Sequence, residues 1–77
     1  MLKLSELTKG DRAVIKKFEG ISNQFQRRLY DIGISIESEI ILKDILGFGK
    51  LFYISVDDVD FCIRKTEAEK IVVEKVQ

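Results

Sequence analysis

The stretch LFYISVDDVDFCIR, Leu51 to Arg64, most narrows what this chain can become. Two runs alternate apolar and polar side chains, and only Asp57 and Asp58 separate them. Successive strand side chains point to opposite faces, so Phe52, Ile54 and Val56 share one face. Val59, Phe61 and Ile63 do the same in the second run. Asp tolerates the left-handed backbone that a two-residue turn requires, so the pair reads as the turn of a hairpin. The other faces carry Leu51, Tyr53 and Ser55, and Asp60, Cys62 and Arg64. A lone hairpin is marginal in water, so the rest of the chain must cover its apolar face.

The remaining segments supply strands and a helix. Ser5 reads as the cap of a short helical turn, SELTKG, ended by Gly10. Asp11 to Phe18, DRAVIKKF, reads as a strand. Alternation does not decide whether Ala13 and Ile15 or Val14 and Phe18 face the core. Gly20 breaks that pattern, and Ser22 is placed to cap a helix in which Phe25, Leu29 and Ile32 recur at i, i+4 and i+7. Gly33 stands where a left-handed residue would end it. SEIILKDI reads as a strand, and LGFGK as a glycine-hinged turn with Phe48 at its tip. Thr66, Glu67, Ala68 and Glu69 match a capping box that would open one helical turn. KIVVEKV closes the chain as a strand. The fold class is therefore mostly β with short helices: about five strands, one longer helix and two helical turns, curled into a small barrel that limits free sheet edges.

Composition excludes several classes of function. The 77 residues read as one domain, 1–77, with no linker, repeat or low-complexity tract. The 13 basic and 13 acidic side chains balance, which argues against a nucleic-acid partner. The one cysteine allows no internal disulfide and suits a reducing compartment. Histidine is absent, which removes the commonest metal ligand and neutral-pH base. No phosphate loop or CxxC motif is present. The N-terminus lacks the apolar core of a signal peptide, and no apolar run could span a bilayer. These features point to a cytoplasmic protein that is not an enzyme, holds no cofactor and does not insert in the membrane directly. Exposed strand edges leave room for weak self-association.

Asp57, Asp58 and Asp60 are the only candidates for a cation site, since hard cations take carboxylate oxygens. A hairpin turn sends neighbouring side chains apart and offers no further ligands. Solvated turn carboxylates are the favoured reading, with the three as weak candidate ligands and no assigned metal site. Cys62 reads as a small hydrophobe that either faces the less buried side or fills a gap. Function then falls to surfaces. Arg27 and Arg28 can pair with an acidic partner, although an internal ion pair is favoured for Arg28. Tyr30 lies off the Phe25–Leu29 face and is a candidate contact. Phe48 is another, because a large apolar side chain at a loop tip favours association. Leu29 and Gly33 read as packing and cap, and Lys16 and Lys17 as a solvated strand edge. An RNA-binding barrel would need aromatics interleaved on a basic face, for which Tyr53 with Lys43 and Lys50 is thin support.

Three segments in order resemble the ferrous iron transport protein A (FeoA) family: LSELTKGDRAVI from Leu4, RRLYDIG from Arg27, and IRKTEAEKIVVE from Ile63. The family pattern has Arg-Leu-x-x-Met/Leu-Gly in its helix, matched by Arg28, Leu29 and Gly33. Its Leu-Arg-x-x-Glu-Ala-x-x-Ile-x-Val ending is matched through Glu67 and Ala68. The family usually has glycine where Glu37 and Asp58 stand, and a Gly-Asp-Pro segment near Gly47 to Leu51, where this chain has no proline. The resemblance implies an SH3-like barrel that assists a membrane ferrous iron transporter carrying a GTP-binding domain, by docking on its cytosolic part. The alternative it leaves is a free-standing SH3-like regulatory domain akin to the C-terminal domain of iron-dependent repressors.

Overall fold

The computed structural model describes residues 1–76. The Leu51–Arg64 alternation builds the expected hairpin: β4 (Leu51–Val56) pairs antiparallel with β5 (Val59–Arg64), with Val56 opposite Val59. Asp57 and Asp58 form the turn at φ 50° and 66°, both left-handed as a type I′ turn requires. Phe52, Ile54, Val56 and Ile63 are buried and Phe61 packs against them. Val59, beside the turn, stays exposed.

The other elements are β1 (Leu2–Lys3), β2 (Arg12–Phe18), α1 (Asn23–Asp31), β3 (Glu39–Leu46), α2 (Lys65–Ala68) and β6 (Ile71–Val76). The described residues thus hold six strands in one antiparallel sheet, ordered β1-β6-β2-β3-β4-β5. The additional strand is β1, whose two residues pair with Val72 and Val73. So short a strand has no readable period, and only its partner makes it one.

The open choice in β2 is settled by a bulge. Ala13 and Ile15 are fully buried, and the register against β6 shifts between Ile15 and Lys17. The extra residue reverses the alternation, so Phe18 also packs on the core. β2 lies inside the sheet, between β6 and β3, so Lys16 and Lys17 are not an edge. Each pairs with a carboxylate, Lys16 with Glu37 at 3.1 Å and Lys17 with Glu19 at 3.8 Å.

α1 starts as its sequence requires: Ser22 Oγ accepts the Phe25 N–H at 3.1 Å. Phe25 and Leu29 are buried, but Ile32 is 46% exposed and leaves the expected apolar face. The helix ends at Asp31, and Gly33, at φ 95°, turns the chain. The Gly33 N–H donates to the Tyr30 carbonyl at 3.1 Å, and the Ile34 N–H to the Leu29 carbonyl at 2.8 Å. This Schellman closure makes Ile34, not Ile32, the core residue packed with Leu29.

Two capping expectations shift along the chain. The first turn is a 3₁₀ turn over Leu4–Glu6, and Glu6, not Ser5, caps it by accepting the Lys3 N–H at 2.8 Å. α2 begins two residues earlier than Thr66 suggests: Glu67 reaches back to the Arg64 N–H at 2.9 Å. That frame buries Ala68 fully. Edge strand β1 runs into the 3₁₀ turn, edge strand β5 runs into α2, and these two turns touch. They fill the gap between the sheet edges with Leu4, Leu7 and Ala68. Glu37 and Asp58, where the family pattern has glycine, sit at φ 75° and 66°. Both backbones are therefore left-handed, the conformation that glycine adopts most easily.

Candidate functional site

The acidic turn comes first because the sequence drew attention to it. Asp57 and Asp58 are exposed and border a shallow polar groove with Glu39 and Ser55. Asp60 turns elsewhere, along the outer face, where the Tyr53 hydroxyl donates to it at 2.9 Å. That hydrogen bond, with help from Ser55 and the charge of Lys43, holds the Asp60 carboxyl below its ordinary range. The same contact raises the Tyr53 hydroxyl pKa. Among the described residues no group of three or more His, Cys, Asp or Glu side chains is arranged to hold a metal ion. Cys62 is exposed on this outer face, opposite Tyr53, the less buried of its two expected placements.

The helix residues form a second region. Arg27 and Arg28 are exposed, and among the described residues neither has a salt-bridge partner. The internal ion pair expected of Arg28 is therefore replaced: its guanidinium lies over the Phe25 ring, 5.8 Å from the centroid. Tyr30 is 49% exposed. Its ring meets Phe18 edge-on at 6.4 Å, and its hydroxyl accepts from Gln26 Nε2 at 2.8 Å. The ring is fixed in place yet still presented to solvent. Leu29, one position away, points inward with 1% exposure.

The third region is the β3–β4 turn. Phe48 is fully exposed (106% of its reference area) and stands at φ 58° between Gly47 at 61° and Gly49 at 87°. Three successive left-handed residues push the ring outward. The strand register pairs Leu46 with Leu51, both partly exposed, while Ile45, also partly exposed, pairs with Phe52 on the opposite face. Leu51 pairs across β5 with Arg64, and the Lys65 N–H donates to the Lys50 carbonyl at 2.8 Å. Sequence reading found Phe48 but missed the grouping of Lys50, Arg64 and Lys65. Only the β4–β5 register brings them together, and the hairpin pattern was the signal that could have shown it.

Fold and surfaces define a small SH3-like domain that offers exposed patches in place of a cluster of reactive groups. No helix of the described residues is long and apolar enough to cross a membrane. The chain belongs to the FeoA domain family, whose profile matches residues 2–75. Its structure is similar to that of a FeoA protein from Chlorobium tepidum, with TM-score 0.92 and 28% identity over 99% of this chain and 71% of that one. It is also similar to the zinc-complexed FeoA of Stenotrophomonas maltophilia, a prokaryotic SH3 domain protein, with TM-score 0.79 and 25% identity over 96% and 91% of the two chains. A manganese-dependent transcriptional repressor shares the fold at TM-score 0.87 and 20% identity, over 97% of this chain and 36% of that one. Among curated proteins, none matches this sequence.

Proposed function

We propose that this protein is a non-enzymatic, cytosolic accessory module of a membrane ferrous iron transporter, working by docking on the transporter's cytosolic, GTP-binding part. The observation that carries this reading is the outer side of α1. There Arg27 and Arg28 face solvent without an acidic partner among the described residues, beside the half-exposed ring of Tyr30. An arginine fork is suited to carboxylates of a partner, and an anchored tyrosine adds contact area at small entropic cost. Phe48 contributes from a separate surface, the β3–β4 turn. Family membership supports the transport context.

The test is a calorimetric titration against the soluble GTP-binding domain and the remaining cytosolic segments, with and without nucleotide. Saturable binding that weakens at least tenfold in the paired variant Arg27→Ala/Arg28→Ala supports docking through α1, since two charge-assisted contacts exceed 1.4 kcal/mol. No binding to any cytosolic segment in any nucleotide state removes the reading. The regulatory alternative rests on likeness of fold to a repressor, and saturable binding to a repressor segment in the same assay would favour it.

A further inference from the structure

We infer that the β3–β4 turn is a contact for the surface of an anionic phospholipid bilayer. The protein's charge balance hides a strong polarity. Most lysines outside this region are committed to ion pairs, with Lys3, Lys16 and Lys17 on glutamates and Lys75 on Asp11. Lys50, Arg64 and Lys65 have no salt-bridge partner among the described residues, whereas the charge of Lys43 acts on Asp60. Asp44 pairs with Lys9 at 3.9 Å, and Glu67 stays beside the patch, accepting the Arg64 N–H, as one carboxylate against three cations. The Asp57–Asp58 turn lies at the opposite end of β4, about 20 Å away by strand geometry. One end of the hairpin is therefore acidic and wet, and the other is cationic with an apolar tip.

The tip has the form that an interface requires. Phe48 projects at full exposure from a turn whose flanking strand ends hold the partly exposed pair Leu46 and Leu51. The stems of Lys50, Arg64 and Lys65 line an apolar groove beside Leu51. Long basic side chains that border an apolar groove are those that place their charge among headgroups while their methylenes cover apolar surface. The backbone adds a second observation. A phenylalanine held in the left-handed region is strained, and strain of this kind persists where a function requires it. Nucleic acid fits less well: Leu46 and Leu51 offer no face for base stacking, and the turn has one aromatic side chain, Phe48, where stacking on successive bases calls for several. A membrane link from the sequence alone ran only through a partner; the tip supplies a direct one without a spanning segment.

The test is co-sedimentation of the full chain with phosphatidylcholine vesicles, with and without phosphatidylglycerol. Binding is expected only where phosphatidylglycerol is present, and is expected to fall with added salt. Lys50→Gln and Lys65→Gln should each lower the partition constant about fivefold, the value of one cation near an anionic surface. Phe48→Ala should lower it about tenfold. In Phe48→Trp, emission should shift to the blue on anionic vesicles. These side chains are exposed, and circular dichroism checks that each variant is folded. Absent or phosphatidylglycerol-independent binding, or binding unchanged by Phe48→Ala, overturns the inference. So does binding to a uridine oligomer in the absence of vesicle binding. The vesicles contain no transporter, so either outcome leaves docking through α1 to its own titration.

Discussion

Replacing Phe48 by Asn should make the protein more stable while weakening its contacts. The side chain is fully exposed, so its removal forfeits no packing. Its backbone, at φ 58°, is left-handed, which costs an L-residue roughly 1–2 kcal/mol. Asn tolerates this region far better, because its short polar side chain bonds locally. The net gain should be about 0.5–1 kcal/mol after allowing for the residual cost of Asn. In a domain of this size that raises the Tm by roughly 2–8 °C. Urea unfolding followed by circular dichroism gives the same quantity, with a shifted midpoint and an unchanged slope. A loss of 0.5 kcal/mol or more, against the roughly 1 kcal/mol gain expected from strain relief, would mean that the ring packs on the domain in solution, and would refute the argument.

Four further substitutions have outcomes set by particular contacts. Asp58→Gly should stabilise the hairpin by about 0.5–1 kcal/mol in urea unfolding, since glycine suits the second position of a type I′ turn and the change removes one of two adjacent carboxylates. Gly33→Ala, at φ 95° in the Schellman closure of α1, should cost about 1 kcal/mol, and Leu29→Ala about 2–5 kcal/mol, both read as lowered denaturation midpoints. Asp11 accepts the Thr8 N–H at 2.8 Å, which is the main reason its carboxyl is held below the ordinary value, with Thr8 Oγ1 and Lys75 adding to it against partial burial. A depressed carboxyl contributes stability that is present above its unfolded value and lost as pH falls through the folded one. Asp11→Asn should therefore flatten the stability profile below about pH 4, a thermal-melt series that wild type would show as a steeper decline.

Much of the fold was written locally. Alternation with two intervening aspartates specified β4, β5 and their turn, because side-chain period and turn conformation are both short-range properties. Ser22, Phe25, Leu29 and Gly33 specified α1 for the same reason. The caps at Glu6 and Glu67 were misplaced because several Ser, Thr and Glu residues lie within reach of each frame, and burial of Leu4 and Ala68 selects among them. The hairpin pattern marked Asp58 as left-handed, and only the family resemblance set Glu37 at a glycine position. Of the candidate contacts, Phe48 was legible because glycine hinges lie on both sides of it, and Tyr30 because it falls off the helix's apolar face.

The sequence by itself determined strands β2 to β6, both ends of α1 and the absence of histidine chemistry, since each depends on residues a few positions apart. Tertiary structure alone decided the rest. The bulge in β2 put Ala13, Ile15 and Phe18 on one core because pairing with β6 absorbs an extra residue there. Strand β1 exists only because Val72 and Val73 offer it partners. Lys50, Arg64 and Lys65 meet beside Leu51 because antiparallel register joins the start of β4 to the end of β5. A neutral composition thereby becomes a polar molecule: which charges neutralise one another depends on distances in space, and linear order does not contain them.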